Sequence, residues 1–482
     1  MIVHKFGGTS VSNAERFAAV AAIIQDQHQH AVAPGNASCP DRGTVVVVSA
    51  MSGVTSQLLA GAWAAAEGRD SDYRRIKAEV LDRHLNVIET LFTNSTERVE
   101  LGGWVEDRLH ELERLYRSIA VLGELTARGR DHVAAFGEQL SVHILAAALR
   151  QRGLRAEALA ATELIVTNEH FGAAVPLMAP TRARLQGRVL PVLARGAIPV
   201  ITGFIAATED SVTTTLGRGG SDYTAAIVGA GLDADEVWIW SDVNGILTAD
   251  PNLVAAAQTL RELSYTEAAD LAYYGADVLH PKTIRPVIEH RIPLRIMNSF
   301  NPEDAGTLIV EAPSPTRAHL PAIISTMGLS LIAIGSLDDS WSLNNVARAL
   351  QALSDVGIDV LMFSQSFSEH SLNLIVRQHD HERCLKALRA TFVEALQDDV
   401  YTLGTKERVA TVSVVGMPAH DGDDGVDDVD IVSHAFAALG AQGTRVIAVA
   451  QAATEHSVSF CIPEDQVTET VRFLHRELGL ED

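Results

Sequence analysis

Short apolar runs alternate with longer stretches of helical spacing over roughly the first 310 residues. The apolar runs predict strands at residues 45–48, 199–202, 237–240 and 294–297, and the periodic stretches predict helices at residues 130–149 and 265–275. An alternation of this kind is typical of an α/β fold with helices on both faces of a sheet.

The last third of the chain contains an internal repeat. The sequence Q-S-F-S-E-H-S-L, which begins at Gln365, recurs 86 residues later as Q-A-A-T-E-H-S-V, which begins at Gln451. Each copy follows a strand–helix–strand pattern and precedes a further strand and helix, so two small βαββαβ units are predicted. We therefore expect three domains, at residues 1–312, 313–400 and 401–482.

The composition disfavours several classes of protein. The chain has 482 residues, of which 47% are apolar, enough for more than one sizeable core. Its formal charge of -23 disfavours nucleic acid and anionic membrane surfaces as partners. We find no apolar run of the roughly 18 residues that span a membrane, and no apolar core of a signal peptide at the N-terminus. Three widely spaced cysteines predict neither a disulfide framework nor a zinc site, and we expect a cytoplasmic protein.

The chain opens on a strand that runs into two glycines and two hydroxyl side chains. Lys5 ends the apolar start, and Gly7, Gly8, Thr9 and Ser10 precede a helix with apolar periodicity. Glycine lets backbone N–H groups approach an anion closely, and the following helix presents its positive N-terminal dipole. This pattern predicts a phosphate-binding loop with Lys5 as an added cation. A plain tight turn between a strand and a helix is the alternative.

A second glycine-rich loop favours the first interpretation. The sequence T-T-T-L-G-R-G-G-S-D-Y-T-A-A begins at Thr213 and leads into a helix, and the strand after it ends in a polar turn at Ser241. The chain contains neither G-x-x-x-x-G-K-[ST] nor G-x-G-x-x-G, so neither a P-loop nor a Rossmann phosphate site is predicted.

These motifs resemble, in their order along the chain, those of the aspartate kinases in the amino-acid kinase family. The segments that carry the resemblance are K-F-G-G-T-S, T-T-L-G-R-G-G-S-D-Y-T-A-A and W-S-D-V-N-G-I, with further matches at residues 49–55, 136–141, 171–176 and 275–281. The resemblance implies ATP-dependent phosphorylation of the side-chain carboxylate of L-aspartate, the entry step towards lysine, threonine and methionine. It also implies Mg²⁺ with the nucleotide, for which we name no protein ligand.

Phosphoryl transfer requires alignment of two anions and neutralisation of the charge between them. Lys5 is predicted to be the catalytic cation that bridges donor and acceptor. Arg218 is predicted to bind the α-carboxylate of aspartate, because its planar guanidinium can grip a carboxylate through two hydrogen bonds. Glu138, at the start of an apolar helix, is predicted to bind the α-amine.

The resemblance completes the aspartate pocket with Thr55, Ser221 and Asp222, assigns a catalytic role to Asp222, and makes the loop at residues 171–172 a lid. Simpler roles remain open for the charged residues. Lys5 could be an exposed strand-end lysine, and Glu138 and Asp222 could each only cap a helix.

Nucleotide contacts are expected from Ser241, Asp242 and Leu247. Three positions on this side depart from the family pattern by lacking an aromatic ring or a cation: Leu247, Asn252 and Asp277. Lys282 or Arg285 could replace the missing charge. The departures put nucleotide affinity in doubt, and the reaction class is unaffected.

The C-terminal repeats resemble ACT domains, regulatory modules that commonly sense amino acids. Their Q-S-F-S-E-H-S sequence is closer to the threonine-sensitive aspartate kinases, usually fused to homoserine dehydrogenase, than to the lysine-sensitive ones, and we expect no dehydrogenase domain here. Because a glutamine amide both donates and accepts, Gln365 and Gln451 are predicted to bind threonine. Lysine is the alternative effector, and a repeat that serves only as a folding unit is the simplest alternative. Paired ACT units imply a homodimer or a higher oligomer by analogy.

Two other functions stay open at this point. The first is a kinase of the same fold for another acid, such as glutamate or N-acetylglutamate, although Glu138 argues against an N-acylated substrate whose nitrogen carries no charge. The second is a catalytically weak amino-acid-sensing subunit, suggested by the nucleotide-side departures beside intact repeats.

Overall fold

The computed structural model describes most of the chain and divides it into two compact units. The described residues are 1–32, 43–92, 96–274, 281–314, 320–336, 341–366, 370–416, 431–451 and 457–481. The first unit comprises Met1–Ile246, Arg261–Tyr265 and Asp277–Pro315, and the second comprises Leu247–Leu260, Thr266–Ala276 and Thr316–Asp482. Several predicted features lie outside the described residues: Cys39, Asp277 with the rest of residues 275–280, and residues 367–369 and 452–456 of the repeat.

An eight-stranded mixed sheet organises the first unit. The strands in this part of the chain are β1 (Ile2–Phe6), β2 (Thr44–Val48), β3 (Ala156–Leu159), β4 (Ile198–Thr202), β5 (Ile205–Ala207), β6 (Thr213–Thr215), β7 (Glu236–Ser241), β8 (Glu262–Ser264), β9 (Leu294–Asn298) and β10 (Thr307–Val310). The sheet order is β3-β4-β2-β1-β7-β9-β10-β8, and every neighbouring pair is parallel except β9–β10. Strands β5 and β6 form a separate antiparallel pair.

Helices cover both faces of this sheet. In chain order the helices of this part of the chain are α1 (Ala14–Val32), α2 (Val54–Ala66), α3 (Asp70–Leu91), α4 (Thr96–Leu122), α5 (Ala127–Ala134), α6 (Phe136–Gln151), α7 (Met178–Ala194), α8 (Gly220–Leu232), α9 (Tyr265–Tyr274) and α10 (Pro281–Glu289). All of α9 after Tyr265 belongs to the second unit and not to the layers around this sheet. Val46 and Val48 pack in one core with α1 and α6. Alternation along β2 turns Val45 and Val47 to the opposite face, and α8 contacts both β1 and β2. The α/β class predicted from the sequence is confirmed.

The second unit contains a six-stranded antiparallel sheet. Its elements are β11 (Ala322–Ser336), α11 (Leu343–Asp355), β12 (Met362–Ser366), β13 (Ser371–Arg377), α12 (His381–Thr391), α13 (Val393–Gln397), β14 (Tyr401–Val415), α14 (Ile431–Gln442), β15 (Ala448–Gln451), β16 (Ser457–Pro463) and α15 (Val467–Glu477). The sheet order is β12-β13-β11-β14-β16-β15.

The two repeats share their long strands β11 and β14. Residues 329–335 of β11 pair with β13, and residues 330–336 pair with residues 401–407 of β14. Residues 409–415 of β14 pair with β16, and residues 411–415 also pair with residues 322–326 of β11. Each strand changes repeat at a residue of positive φ, Gly328 (φ 70°) in β11 and Arg408 (φ 55°) in β14. The strand that completes the second repeat therefore precedes the first repeat in the chain.

The segment Leu247–Leu260 is folded into the second unit. Ala249 and Val254 lie in the same apolar core as Val471 of α15. Thr248 is fully buried, and its Oγ1 lies 2.9 Å from Nε2 of His475 and accepts the N–H of Gln258 at 2.9 Å. Residues that follow β7 in sequence are thus part of the second repeat's core.

Candidate active site

The carboxyl ends of the central strands bring three predicted loops to one edge of the sheet. β1 lies between β2 and β7 and is parallel to both, with Phe6 in register with Val48 on one side and Trp240 on the other. The loops that begin at Gly7, Ser49 and Asp242 therefore leave the sheet side by side. In open α/β sheets this edge is where ligands bind.

A cleft of about 390 Å³ opens at this edge within the first unit. Fifteen residues from the segments singled out in the sequence line it together with Phe204: Lys5, Gly8, Ser49, Ala50, Met51, Ser52, Gly53, Thr55, Glu138, Phe204, Gly217, Arg218, Gly219, Gly220, Ser221 and Asp222. The predicted catalytic cation and all the predicted aspartate-binding residues thus lie around one cavity.

Lys5 is held in the cleft by a carboxylate. Its Nζ lies 2.5 Å from Oδ1 of Asp222, and only 11% and 15% of the two side chains is exposed. Asp222 lies in the first turn of α8, where a negative charge is favoured by the helix dipole. Gly7 lies beside the ammonium group, because a Cβ atom on Gly7 would be 3.5 Å from Nζ of Lys5. The pair fixes a cation at the strand end, beside the glycine loop.

Glu138 presents a buried carboxylate to the same cleft. It lies in the first turn of α6 and is 3% exposed, and its Oε1 accepts the N–H of Ala50 at 3.2 Å. Its Oε2 is buried without a hydrogen-bond partner among the described residues. Burial raises the pKa of Glu138 to about 8. A cationic ligand in the cleft would stabilise the ionised form and bind the unpartnered oxygen.

Arg218 lies on the opposing glycine-rich loop. Gly217 (φ 80°) and Gly219 (φ 67°) flank it in left-handed conformations, and the Arg218 side chain is exposed. The predicted lid loop lies against this segment, because a Cβ on Gly217 would come 3.1 Å from the carbonyl oxygen of Gly172. The cleft therefore has an exposed cation, Arg218, on one loop and a buried carboxyl group, that of Glu138, on a helix.

The glycine loop after β1 packs closely against the loop after β2. A Cβ on Gly8 would come 2.9 Å from the carbonyl oxygen of Ala50, and the N–H of Ser52 donates to the carbonyl of Gly8 at 3.1 Å. Thr9 is exposed, whereas Ser10 is fully buried and its Oγ lies 2.8 Å from Oγ of Ser299. The hydroxyl of Ser10 is thus engaged inside the protein.

The predicted nucleotide residues are divided between the units. Ser241 is half-buried at the end of β7, and its Oγ donates to Oδ1 of the exposed Asp242 at 3.2 Å. Leu247 belongs to the second unit, and so does Asn252, whose N–H donates to Oδ1 of Asp250 at 2.8 Å. On the exposed side of α10, Nε of Arg285 lies 2.9 Å from Oε1 of Glu289.

Phe204 lines the cleft although sequence analysis did not single it out. It has a left-handed backbone (φ 64°), and its N–H donates to Oγ1 of Thr224 at 2.9 Å. Gly220 lies beneath its ring, since a Cβ there would come 2.6 Å from Cδ2. No local pattern marks this residue, because its position depends on contacts with a helix that follows 16 residues later in the chain.

The two glutamines predicted to bind an effector lie in the second unit. Gln365 is half-buried in β12 opposite Leu372, and Gln451 is exposed in β15 opposite Val458. These strands occupy equivalent places at the two edges of the six-stranded sheet.

The described residues form neither a cluster of metal-ligating side chains nor a membrane-spanning helix. They contain no group of three or more His, Cys, Asp or Glu side chains placed to hold a metal ion. None of the described helices is both long and apolar enough to cross a membrane.

Known families and proteins match this chain over most of its length. The amino acid kinase family model matches residues 1–298, and an ACT domain model matches residues 344–392 and 412–478. Aspartokinase 1, chloroplastic, of Arabidopsis thaliana is 31% identical over 477 residues, which is 98% of this chain and 79% of the relative. Bifunctional aspartokinase/homoserine dehydrogenase 1, chloroplastic, of Zea mays is 31% identical over 484 residues, and the chain spans only 50% of its length.

Solved structures give the same result for the fold. E. coli aspartokinase III in complex with aspartate and ADP (R-state) matches with a TM-score of 0.80 at 27% identity, over 99% of this chain and 100% of that one. The same enzyme in complex with lysine and aspartate (T-state) matches with a TM-score of 0.77, over 99% of both chains. The chain therefore belongs to the amino acid kinase family and, within it, to the aspartokinases with a C-terminal ACT region.

Proposed function

We propose that this protein transfers the γ-phosphoryl group of ATP to the side-chain carboxylate of L-aspartate, producing 4-phospho-L-aspartate, the first step towards lysine, threonine and methionine. One observation carries the proposal: a cation at a strand end, a buried acid with an unpartnered oxygen and an arginine on a glycine-rich loop line the same cleft. Three charges of these signs match the side-chain carboxylate, α-ammonium and α-carboxylate of aspartate. The aspartate and ADP bound by the E. coli relative support this assignment.

Each charged group has one task in this scheme. Arg218 binds the α-carboxylate, Glu138 binds the ammonium through its unpartnered Oε2, and the side-chain carboxylate then faces Lys5. Lys5 neutralises charge on the transferring phosphoryl group, which is the main demand of this reaction on a protein. Asp222 orients Lys5 through their ion pair. Thr55 and Ser221 complete the acceptor pocket.

The nucleotide would lie over the strand ends of β1 and β7. Gly7, Gly8, Thr9 and the backbone of Ser10 would contact phosphates, together with Ser241 and Asp242. Mg²⁺ bound to ATP would supply additional charge neutralisation. Phosphate oxygens and water would be its main ligands.

A coupled ADP-release assay on the purified chain tests the proposal. L-aspartate should support turnover, whereas L-glutamate and N-acetyl-L-glutamate should not, and hydroxylamine should trap the acyl phosphate as a hydroxamate. Turnover with glutamate or its N-acetyl derivative instead would identify another acid kinase. Binding of an amino acid without turnover would identify a sensing subunit, the alternative that the residues at Leu247, Asn252 and Asp277 favour.

We further propose that residues 1–312 form the catalytic domain and that residues 313–400 and 401–482 form the regulatory domains of a homodimer or higher oligomer. Threonine would bind near Gln365 and Gln451 and inhibit the kinase. The equivalent edge positions of the two glutamines support paired effector sites. Lysine is the competing effector, because the E. coli relative was solved with lysine. Kinase rates measured against each amino acid separately, and against both together, decide between them.

A further inference from the structure

A second buried carboxylate, that of Asp131, lies outside the residues that line the cleft. Asp131 is 1% exposed and lies in α5. Its Oδ2 accepts the N–H of Gly172 at 2.8 Å and the N–H of Thr215 at 2.9 Å, and its Oδ1 accepts the hydroxyl of Thr215 at 3.0 Å. One carboxylate thus holds two loops that are far apart in sequence.

Both segments that Asp131 binds lie close to Arg218, one along the chain and the other by contact. Thr215 is the last residue of β6, and only two residues separate it from Arg218. The lid loop is tied to the same point, because the N–H of Ala174 donates to the carbonyl of Thr215 at 2.9 Å. The carbonyl of Gly172 in turn lies against Gly217, the residue directly before Arg218.

The conformation of Gly172 in the lid loop allows its N–H to approach the carboxylate of Asp131. Gly172 has a left-handed backbone (φ 86°), and a Cβ there would come 2.3 Å from Nη2 of Arg130. The Arg130 guanidinium is the end of a flexible side chain and can move aside, so the left-handed backbone is the stronger reason for glycine here. Glycine leaves the N–H of residue 172 close enough to donate to the carboxylate.

We propose that Asp131 is a positioning residue that sets the orientation of Arg218 for the acceptor's α-carboxylate. Glycines flank Arg218 and leave its loop conformationally free, so ordering this loop would cost free energy when the acceptor binds. Hydrogen bonds from Asp131 to the adjoining segments reduce that cost. Asp131 and Glu138 lie on consecutive helices, and the N–H of Ala135 between them donates to the carbonyl of Asp131 at 3.1 Å. One helix pair therefore fixes both ends of the acceptor: Glu138 directly and Arg218 through Asp131. This inference rests on the proposed function.

The test is steady-state kinetics on the full chain carrying Asp131→Asn. Asparagine keeps the shape and one carbonyl oxygen for the two N–H donors, but it replaces a charged acceptor by a neutral one. We expect KM for L-aspartate to rise about 10-fold, with KM for ATP changed by less than about 2-fold. Thr215→Val removes only the hydroxyl donor and should raise KM for aspartate by less than Asp131→Asn does. It is the variant to measure if Asp131→Asn does not fold.

Tyr116→Phe is the matched control. It removes a buried hydrogen bond, from the Tyr116 hydroxyl to the carbonyl of Leu58 at 2.7 Å, in the helical part of the same unit. Both KM values should be unchanged in this variant even where its melting temperature falls. A KM for aspartate that rises equally in Tyr116→Phe would show that Asp131 acts only through general stability.

A double variant tests the route through Arg218. If Asp131→Asn and Arg218→Lys each raise KM about 10-fold, their combination should raise it about 10- to 20-fold rather than about 100-fold, because both damage the same contact. A multiplicative result, or equal changes in KM for aspartate and for ATP, would overturn the assignment. Failure of the proposed function is distinguishable, because the unmodified protein would then show no aspartate-dependent ADP release.

Discussion

Removal of the Lys5 charge is the most direct test of the reaction scheme. Lys5→Met keeps an unbranched apolar stem of similar length and deletes only the ammonium group. The Lys5 side chain is 11% exposed, so solvent screens it weakly. A unit charge about 4 Å from the transferring phosphoryl group, at an effective dielectric constant of about 20, contributes about 4 kcal/mol. Because this interaction is realised mainly in the transition state, we expect kcat to fall about 1000-fold, with KM for L-aspartate changed by less than about 3-fold.

The assay is ADP release at saturating ATP and aspartate, with circular dichroism to verify folding. Arg75→Ala is the control, because it deletes an equal charge from an exposed ion pair with Glu79 in the same unit. This control should retain the full rate. Retention of more than about a tenth of the rate by Lys5→Met would limit the contribution of the ammonium to less than about 1.4 kcal/mol and would refute its assigned role.

Three further predictions concern the other charged groups and the repeats. Arg218→Lys should raise KM for aspartate about 10-fold despite the retained charge, because the bidentate fork is lost; unchanged saturation kinetics would exclude Arg218 from the pocket. Since burial raises the pKa of Glu138 from 4.5 to about 8, the ligand-free native state holds a proton that the unfolded chain releases between these values. This contribution to the unfolding free energy is present below about pH 4.5 and lost by about pH 8, and Glu138→Gln should remove it; parallel pH curves from urea titrations of the two proteins would contradict this. Gln365→Ala should raise the threonine concentration for half-inhibition at least about 10-fold, and inhibition by lysine alone would disprove the threonine assignment.

The sequence predicted the elements that carry the cleft better than the contacts that hold it together. The apolar runs at residues 45–48 and 237–240 form the fully buried strand β2 and the partly buried strand β7, as predicted. Their parallel register with β1 is a tertiary property, and it brings Lys5 next to Asp222, 217 residues later in the chain. Motif order indicated that these residues act together, but it could not give their distance.

The burial of Asp131 could not be predicted from the local sequence pattern. It lies in the stretch A-R-G-R-D-H, whose charges are typical of a solvated helix face, yet its carboxylate is buried by loops that follow about 40 and 84 residues later. The strand pairing between the two repeats also could not be predicted from their sequences. An 86-residue period predicts two consecutive units, whereas the strands β11 and β14 are each long enough to serve both.

The course of the chain after β7 gives the proposed regulation a physical basis. Ser241 ends a strand of the eight-stranded sheet, and six residues later Leu247 already belongs to the second unit. There Thr248 is fixed by the buried ring of His475, and the chain returns to the first sheet only at β8. We expect an effector that prefers one packing of the second repeat to act through this segment, because Ala249 and Val254 belong to that repeat's core. Coupling of about 1–3 kcal/mol, the usual range for allosteric proteins, requires only that this segment differ between two packed states.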